Sequence, residues 1–112
     1  MDDRNTVIIE GEYMCFSDDM HFDEDEIWVC RDLNGRFRLY AEKEYVRIGD
    51  ELSKLSDEVR RRMARKIFVS SFLIPLENNR LHMNNRLRDY LTSSKYIAVR
   101  KENYLLLEPI EE

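Results

Sequence analysis

The chain lacks most of the features that announce a chemistry. Its three glycines are isolated, which excludes a Gly-rich loop of the kind that cradles phosphates. Two prolines and no Ser- or Gly-rich stretch leave neither a linker nor a low-complexity tail. No apolar run approaches the roughly 20 residues that cross a bilayer. The opening, MDDRNTVIIEGEY, carries acid where a secretory signal carries positive charge. Cys15 and Cys30 therefore read as reduced thiols of a cytoplasmic protein, not as a disulfide frame. Cys15, His21 and Cys30 fit no zinc spacing, and the acidic run 18–26 lacks the Gly and terminal Glu of a calcium loop. His82 falls mid-strand, and Ser70 and Ser71 lack the Gly-x-Ser-x-Gly elbow. No metal, cofactor or enzymatic activity is expected.

What is present is charge. Of 112 residues 43% are hydrophobic and 37% charged, which suits one domain with a modest core. The net charge of -5 conceals a partition. Residues 1–30 hold ten acids against Arg4, residues 31–57 balance, residues 58–100 hold ten bases against three acids, and residues 101–112 are acidic again. A basic middle between acidic ends fits an anionic partner, or an acidic arm that mimics a phosphate backbone and covers its own basic face. It also fits a chain whose charges merely keep it in solution.

Strand patterns open and close the chain. Val7–Ile9, Tyr13–Phe16, Ile27–Cys30 and Phe37–Tyr40 are short apolar runs, the last two joined through Asn34-Gly35, a hairpin signal because both residues tolerate positive φ. A helix is expected from Glu42 with Tyr45, Ile48, Leu52 and Leu55 on one stripe. Ser56 is placed to cap a second helix, with Val59, Met63 and Ile67 as its stripe and Arg60, Arg61, Arg62, Arg65 and Lys66 on its remaining surface. Phe68–Ile74, apolar on both faces, reads as a central strand. Glu77–Arg80 reads as a turn, Leu81–Met83 as a strand, and Arg86–Leu91 as one helical turn capped by Asn84 or Asn85. Tyr96–Val99 and Tyr104–Leu107 close as a hairpin. The class is α+β. Composition shows no repeat, and strands this short leave edges of the kind that intertwined subunits commonly cover.

From Phe37 to Leu91 the chain resembles the MraZ family, bacterial transcription regulators built from two AbrB-like swapped-hairpin modules joined by a pair of helices. Leu39-Tyr40-Ala41-Glu42-Lys43-Glu44-Tyr45 stands where the family has Leu-Tyr-Pro-x-x-Glu-Trp. Glu77-Asn78-Asn79-Arg80, a short strand and Leu87-Arg88-Asp89-Tyr90 stand where it has Asp-x-x-Gly-Arg, strand, Pro and Leu-Arg-x-Tyr. Gly11-Glu12-Tyr13 matches the family's opening. The first Asp-x-x-Gly-Arg signature is missing, and residues 14–26 in its place contain no arginine. The resemblance implies a single domain of a truncated first half (1–41), a helical pair (42–67) and a second half (68–112), folded as a swapped-hairpin barrel. It implies a homo-oligomer, a ring in that family, which binds DNA through Arg80, Arg86 and Arg88 with Arg61, Arg62 and Arg65 of the basic helix. DNA binding would add the nucleoid to the cytoplasmic location. The alternative is a degenerate homologue that has lost DNA and acts on partner proteins, for instance by co-assembling with a full-length relative. No membrane partner is expected.

Overall fold

The computed structural model describes residues 5–68 and 71–110, and over 63–68 the backbone only. Four strands come first: β1 (Thr6–Glu10), β2 (Tyr13–Phe16), β3 (Glu26–Arg31) and β4 (Phe37–Tyr40). Two helices follow, α1 (Glu42–Leu52) and α2 (Asp57–Phe68). Then come β5 (Ser71–Glu77), β6 (Arg80–His82), the one-turn helix α3 (Asn85–Asp89), β7 (Lys95–Arg100) and β8 (Leu105–Pro109). All strand pairs are antiparallel, and they close a barrel in the order β1-β2-β6-β5-β3-β4-β8-β7. Every strand thus has two neighbours in its own chain, so this barrel has no edge for an intertwined subunit to cover. The expectation of edge-driven intertwining is corrected on that ground.

The strand order contains a repeat that composition hides. Renumbering each strand four places on (β1 as β5, β2 as β6, and so round) reproduces the same ring of neighbours. The first four strands and the last four are therefore equivalent halves, related by a pseudo-twofold axis through the β2–β6 pair. Around the barrel the hairpins of the two halves alternate. Two backbone bonds express the symmetry: Phe16 donates its N–H to the Asn79 carbonyl at 2.9 Å, and Met83 donates to the Glu12 carbonyl at 2.8 Å. The segment 17–25 in the first half occupies the place that α3 takes in the second. Since the axis exchanges the barrel's ends, these two segments close opposite ends.

Alternation along the strands decides inside from outside. Val7, Met14, Val29, Phe37, Leu81, Tyr96 and Leu107 are fully buried and fill the interior. Met20, 7% exposed, belongs to the core from the segment 17–25, and Leu87, 0% exposed, belongs to it from α3. Each end is thus closed by a buried apolar side chain, with Phe22 at one end and Leu91 at the other also packed against the core. Outside the barrel, α1 docks on the β3–β4 wall, where Trp28 and Tyr45 stack at 4.0 Å between ring centroids.

Three sequence readings shift. Leu55 lies beyond α1 and is half-exposed, so the stripe ends at Leu52. The strand expected over Phe68–Ile74 runs instead from Ser71 to Glu77, because α2 continues to Phe68; residues 69 and 70 lie outside the described residues. Both of its faces are apolar as read, but only one is buried: Ile74 is inside, while Leu73 faces outward opposite Trp28. Pro75 is accommodated because it stands at the terminal β3–β5 pair, opposite Glu26, and outside the β5–β6 ladder, which covers Leu76 and Glu77, so its missing N–H interrupts no ladder. The helical turn expected over Arg86–Leu91 is α3, which starts one residue earlier and ends two residues earlier. Among the described residues no helix is long and apolar enough to cross a membrane.

Candidate nucleic-acid interface

α3 is set by local chemistry. The Asn84 side chain accepts the Leu87 backbone N–H at 2.8 Å, an N-cap that supplies what a proline at that place would otherwise pre-set. With Leu87 pointing inward, Arg86 and Arg88 are left exposed on the outer surface of the end cap. The Arg86 guanidinium lies 5.8 Å from the Phe72 ring centroid. From the end of β3, Arg31 lies over Tyr90 at 4.3 Å. Arg36 stands in the β3–β4 connection at this same end, which meets the residues after α3 where Thr92 approaches Gly35. Among the described residues, no carboxylate forms an ion pair with Arg31, Arg86 or Arg88. A guanidinium laid on a ring keeps its N–H fork free for an anion.

The β3–β4 connection is held firmly. Asn34 and Gly35 both take positive φ, at 61° and 74°. Asp32 accepts the Leu33 N–H at 2.7 Å and pairs with Arg38 at 2.8 Å. Partial burial pushes the Asp32 carboxyl up, but the Arg38 and Leu33 hydrogen bonds and the charges of Arg38 and Arg36 outweigh it, leaving it below the usual carboxylate range. Arg38, held by Asp32 and the Tyr40 hydroxyl, stays protonated more firmly than a free arginine despite desolvation. Cys30 is buried, which pushes its thiol up to about 11 although the Ser71 hydroxyl donates to the sulfur at 3.3 Å. It is a packing residue, not a nucleophile.

Arg80 is elsewhere. It opens β6 at the end stoppered by segment 17–25, and its guanidinium lies over Tyr13 on the outer wall at 4.6 Å. Tyr13 in turn stacks on His82 at 5.0 Å between centroids, and His82 pairs with Glu12 at 3.0 Å. The turn before Arg80 uses Asn78 and Asn79 at φ 54° and 61°. The Asn79 amide donates to the carbonyls of Met20 at 2.9 Å and Ser17 at 3.3 Å, fastening the acidic segment. Neither bond was legible in the sequence, since they span about sixty residues.

On α2, Arg61 and Arg62 are exposed, and Arg62 approaches Glu58 at 3.5 Å. The side chain of Arg65 lies outside the described residues. Of the six arginines singled out by sequence, the structure brings Arg86 and Arg88 together and adds Arg31 and Arg36 to them. Arg31 and Arg36 could have been found from their place flanking the Asn-Gly turn. Two open clefts, of about 280 and 470 Å³, flank His21 and Arg100 at the acidic end and carry charges of both signs, which selects no ligand. Among the described residues no group of three or more His, Cys, Asp or Glu is placed to hold a metal. No protein-family model matches the chain, and no curated protein matches it.

Proposed function

We propose that the chain is a DNA-binding transcriptional regulator of the MraZ-like, swapped-hairpin kind, acting as a homo-oligomer in the bacterial cytoplasm and on the nucleoid when bound. One observation carries the reading: Arg86 and Arg88 stand exposed and, among the described residues, without an ion-pair partner on a short cap anchored by Leu87. Such arginines suit phosphate contacts, which position a protein on DNA and make its affinity salt-dependent. The alternating hairpins of two equivalent halves, with a helix pair between them, support the kinship with tandem AbrB-like modules. In this reading Arg61, Arg62 and Arg65 extend the contact, and Arg80 serves as a separate contact on the wall.

Fluorescence anisotropy with promoter fragments across a salt series tests the proposal. Binding should strengthen as salt falls, and Arg86→Ala/Arg88→Ala should lower the log–log salt slope by about 2. Flat anisotropy at low salt from a folded protein rejects it.

A second reading is favoured by the segment 17–25. It takes the place of α3 in the first half yet carries Asp18, Asp19, Asp23, Glu24 and Asp25. A homologue so altered would act on partners, for instance a full-length relative, and would retain no DNA. Co-elution of the two proteins in gel filtration supports this reading, and separate elution removes it.

A further inference from the structure

Singly exposed apolar side chains are ordinary on a protein surface. Leu33 differs in what holds it and in what surrounds it. At 74% it is the most exposed large hydrophobic side chain among the described residues, and it stands in the β3–β4 connection. The backbone of this tip bonds to the tip itself. The Leu33 N–H goes to the Asp32 carboxylate at 2.7 Å, and its carbonyl accepts the Arg36 N–H at 3.2 Å and the Arg36 Nε–H at 3.1 Å. The Asp32 N–H returns to the Arg36 carbonyl at 2.8 Å. A Cβ on Gly35 would meet the Thr92 hydroxyl at 2.5 Å, so the tip is seated against the segment that follows α3. With the backbone fixed in this way, the isobutyl group of Leu33 is what the tip presents to a partner.

The surroundings select that partner. Arg36 beside Leu33, Arg31 two residues before it, and Arg86 and Arg88 on α3 are, among the described residues, without ion-pair partners. Most carboxylates of this end are engaged or distant. Asp32 is held by Arg38 and Glu12 by His82, and Glu10 and Glu12 flank the β1–β2 turn, across the barrel from the β3–β4 connection. Asp89 on α3 and Glu108 on β8 remain, two against four guanidiniums. A rigid apolar point among guanidiniums fits a duplex, where phosphates flank a gap that opens when base pairs unstack. A lipid surface fits less well, because one leucine offers too little apolar area to hold a membrane. We propose, building on the DNA-binding reading, that Leu33 is a wedge that enters between two base pairs from the minor groove and kinks the duplex. Pyrimidine–purine steps unstack most readily, so the wedge adds a sequence preference that arginines on phosphates do not supply.

The test uses a short duplex with a central TA step, 2-aminopurine in place of its adenine, and a donor and an acceptor dye at the two ends. Bound wild type should raise the 2-aminopurine emission several-fold and bring the dyes closer, as a kink of roughly 20–90° requires. Leu33→Ala and Leu33→Gln lose no phosphate contact, so both should bind with an unchanged salt slope. They should nevertheless leave the emission and the dye distance as in free duplex, whereas Leu33→Phe should keep both changes. Leu33 lies outside the core, so the variants should fold as the wild type does, which circular dichroism checks. Wild type that binds without either change overturns the wedge alone, as does Leu33→Ala that gives both changes in full. Wild type that binds no duplex by anisotropy overturns the DNA-binding reading and the wedge with it. Retention by phosphatidylserine vesicles but not by duplex overturns both in favour of a lipid surface.

Discussion

Asp32 shows how one side chain ties charge to conformation. Its carboxylate caps the turn after β3 and holds Arg38, and its pKa is lowered in the fold. A lowered carboxyl adds stability above its unfolded pKa and loses it as pH falls through the folded value. Asp32→Asn keeps an acceptor for the Leu33 N–H and removes only the charge. The variant should be less stable by roughly 0.5–1 kcal/mol at neutral pH. The difference should close as pH drops below the ordinary carboxylate range, as urea denaturation across pH will show. Residues like these were legible in the sequence because their roles are local. Asn34-Gly35 announces positive φ wherever it stands, and Asn84 caps whatever helix follows. Asn79 was legible as a turn residue only; its bonds to Ser17 and Met20 needed the fold.

A five-residue helix has no stability of its own, since nucleation costs more than one turn returns. α3 is held by its cap and by Leu87, 0% exposed inside the barrel end. Leu87→Ala should cost about 2–4 kcal/mol in denaturant unfolding. By loosening the helix it should also weaken any contact made through Arg86 and Arg88. Elements were legible where periodicity was clean, as in Phe37, Leu39 and their outward neighbour Arg38. They were not where two elements meet in an apolar run. Phe68 through Ile74 reads the same as a helix end or a strand, and only pairing with β3 places the start at Ser71. Trp28 and Tyr45 could not be matched from sequence either, because their stack joins a wall to a helix two elements on.

For the molecule as a whole, the two equivalent halves share backbone geometry and almost no residue identities. Gly11 and Asn78 occupy equivalent turns at φ 59° and 54°, and the next two positions pair Glu12 with Asn79 and Tyr13 with Arg80. Composition therefore gave no repeat, and the charge partition read along the chain is not a partition between barrel ends: Arg80 stands at the end closed by segment 17–25, and Glu12 stands beside the start of α3 at the other. Closure has a temporal consequence as well. The β3–β4 hairpin completes itself locally, whereas β1 must wait for β7, whose register sets Val7 opposite Tyr96. On a ribosome adding about 5–20 residues per second, the nascent β1–β2 hairpin stands with its apolar flank unpaired for several seconds. In refolding from urea, followed by Trp28 fluorescence, closure across so long a loop should appear on the millisecond-to-second scale of non-local β topologies. Microsecond folding would contradict that order of events. The last hairpin to emerge, β7–β8, thus sets the moment at which the barrel can close.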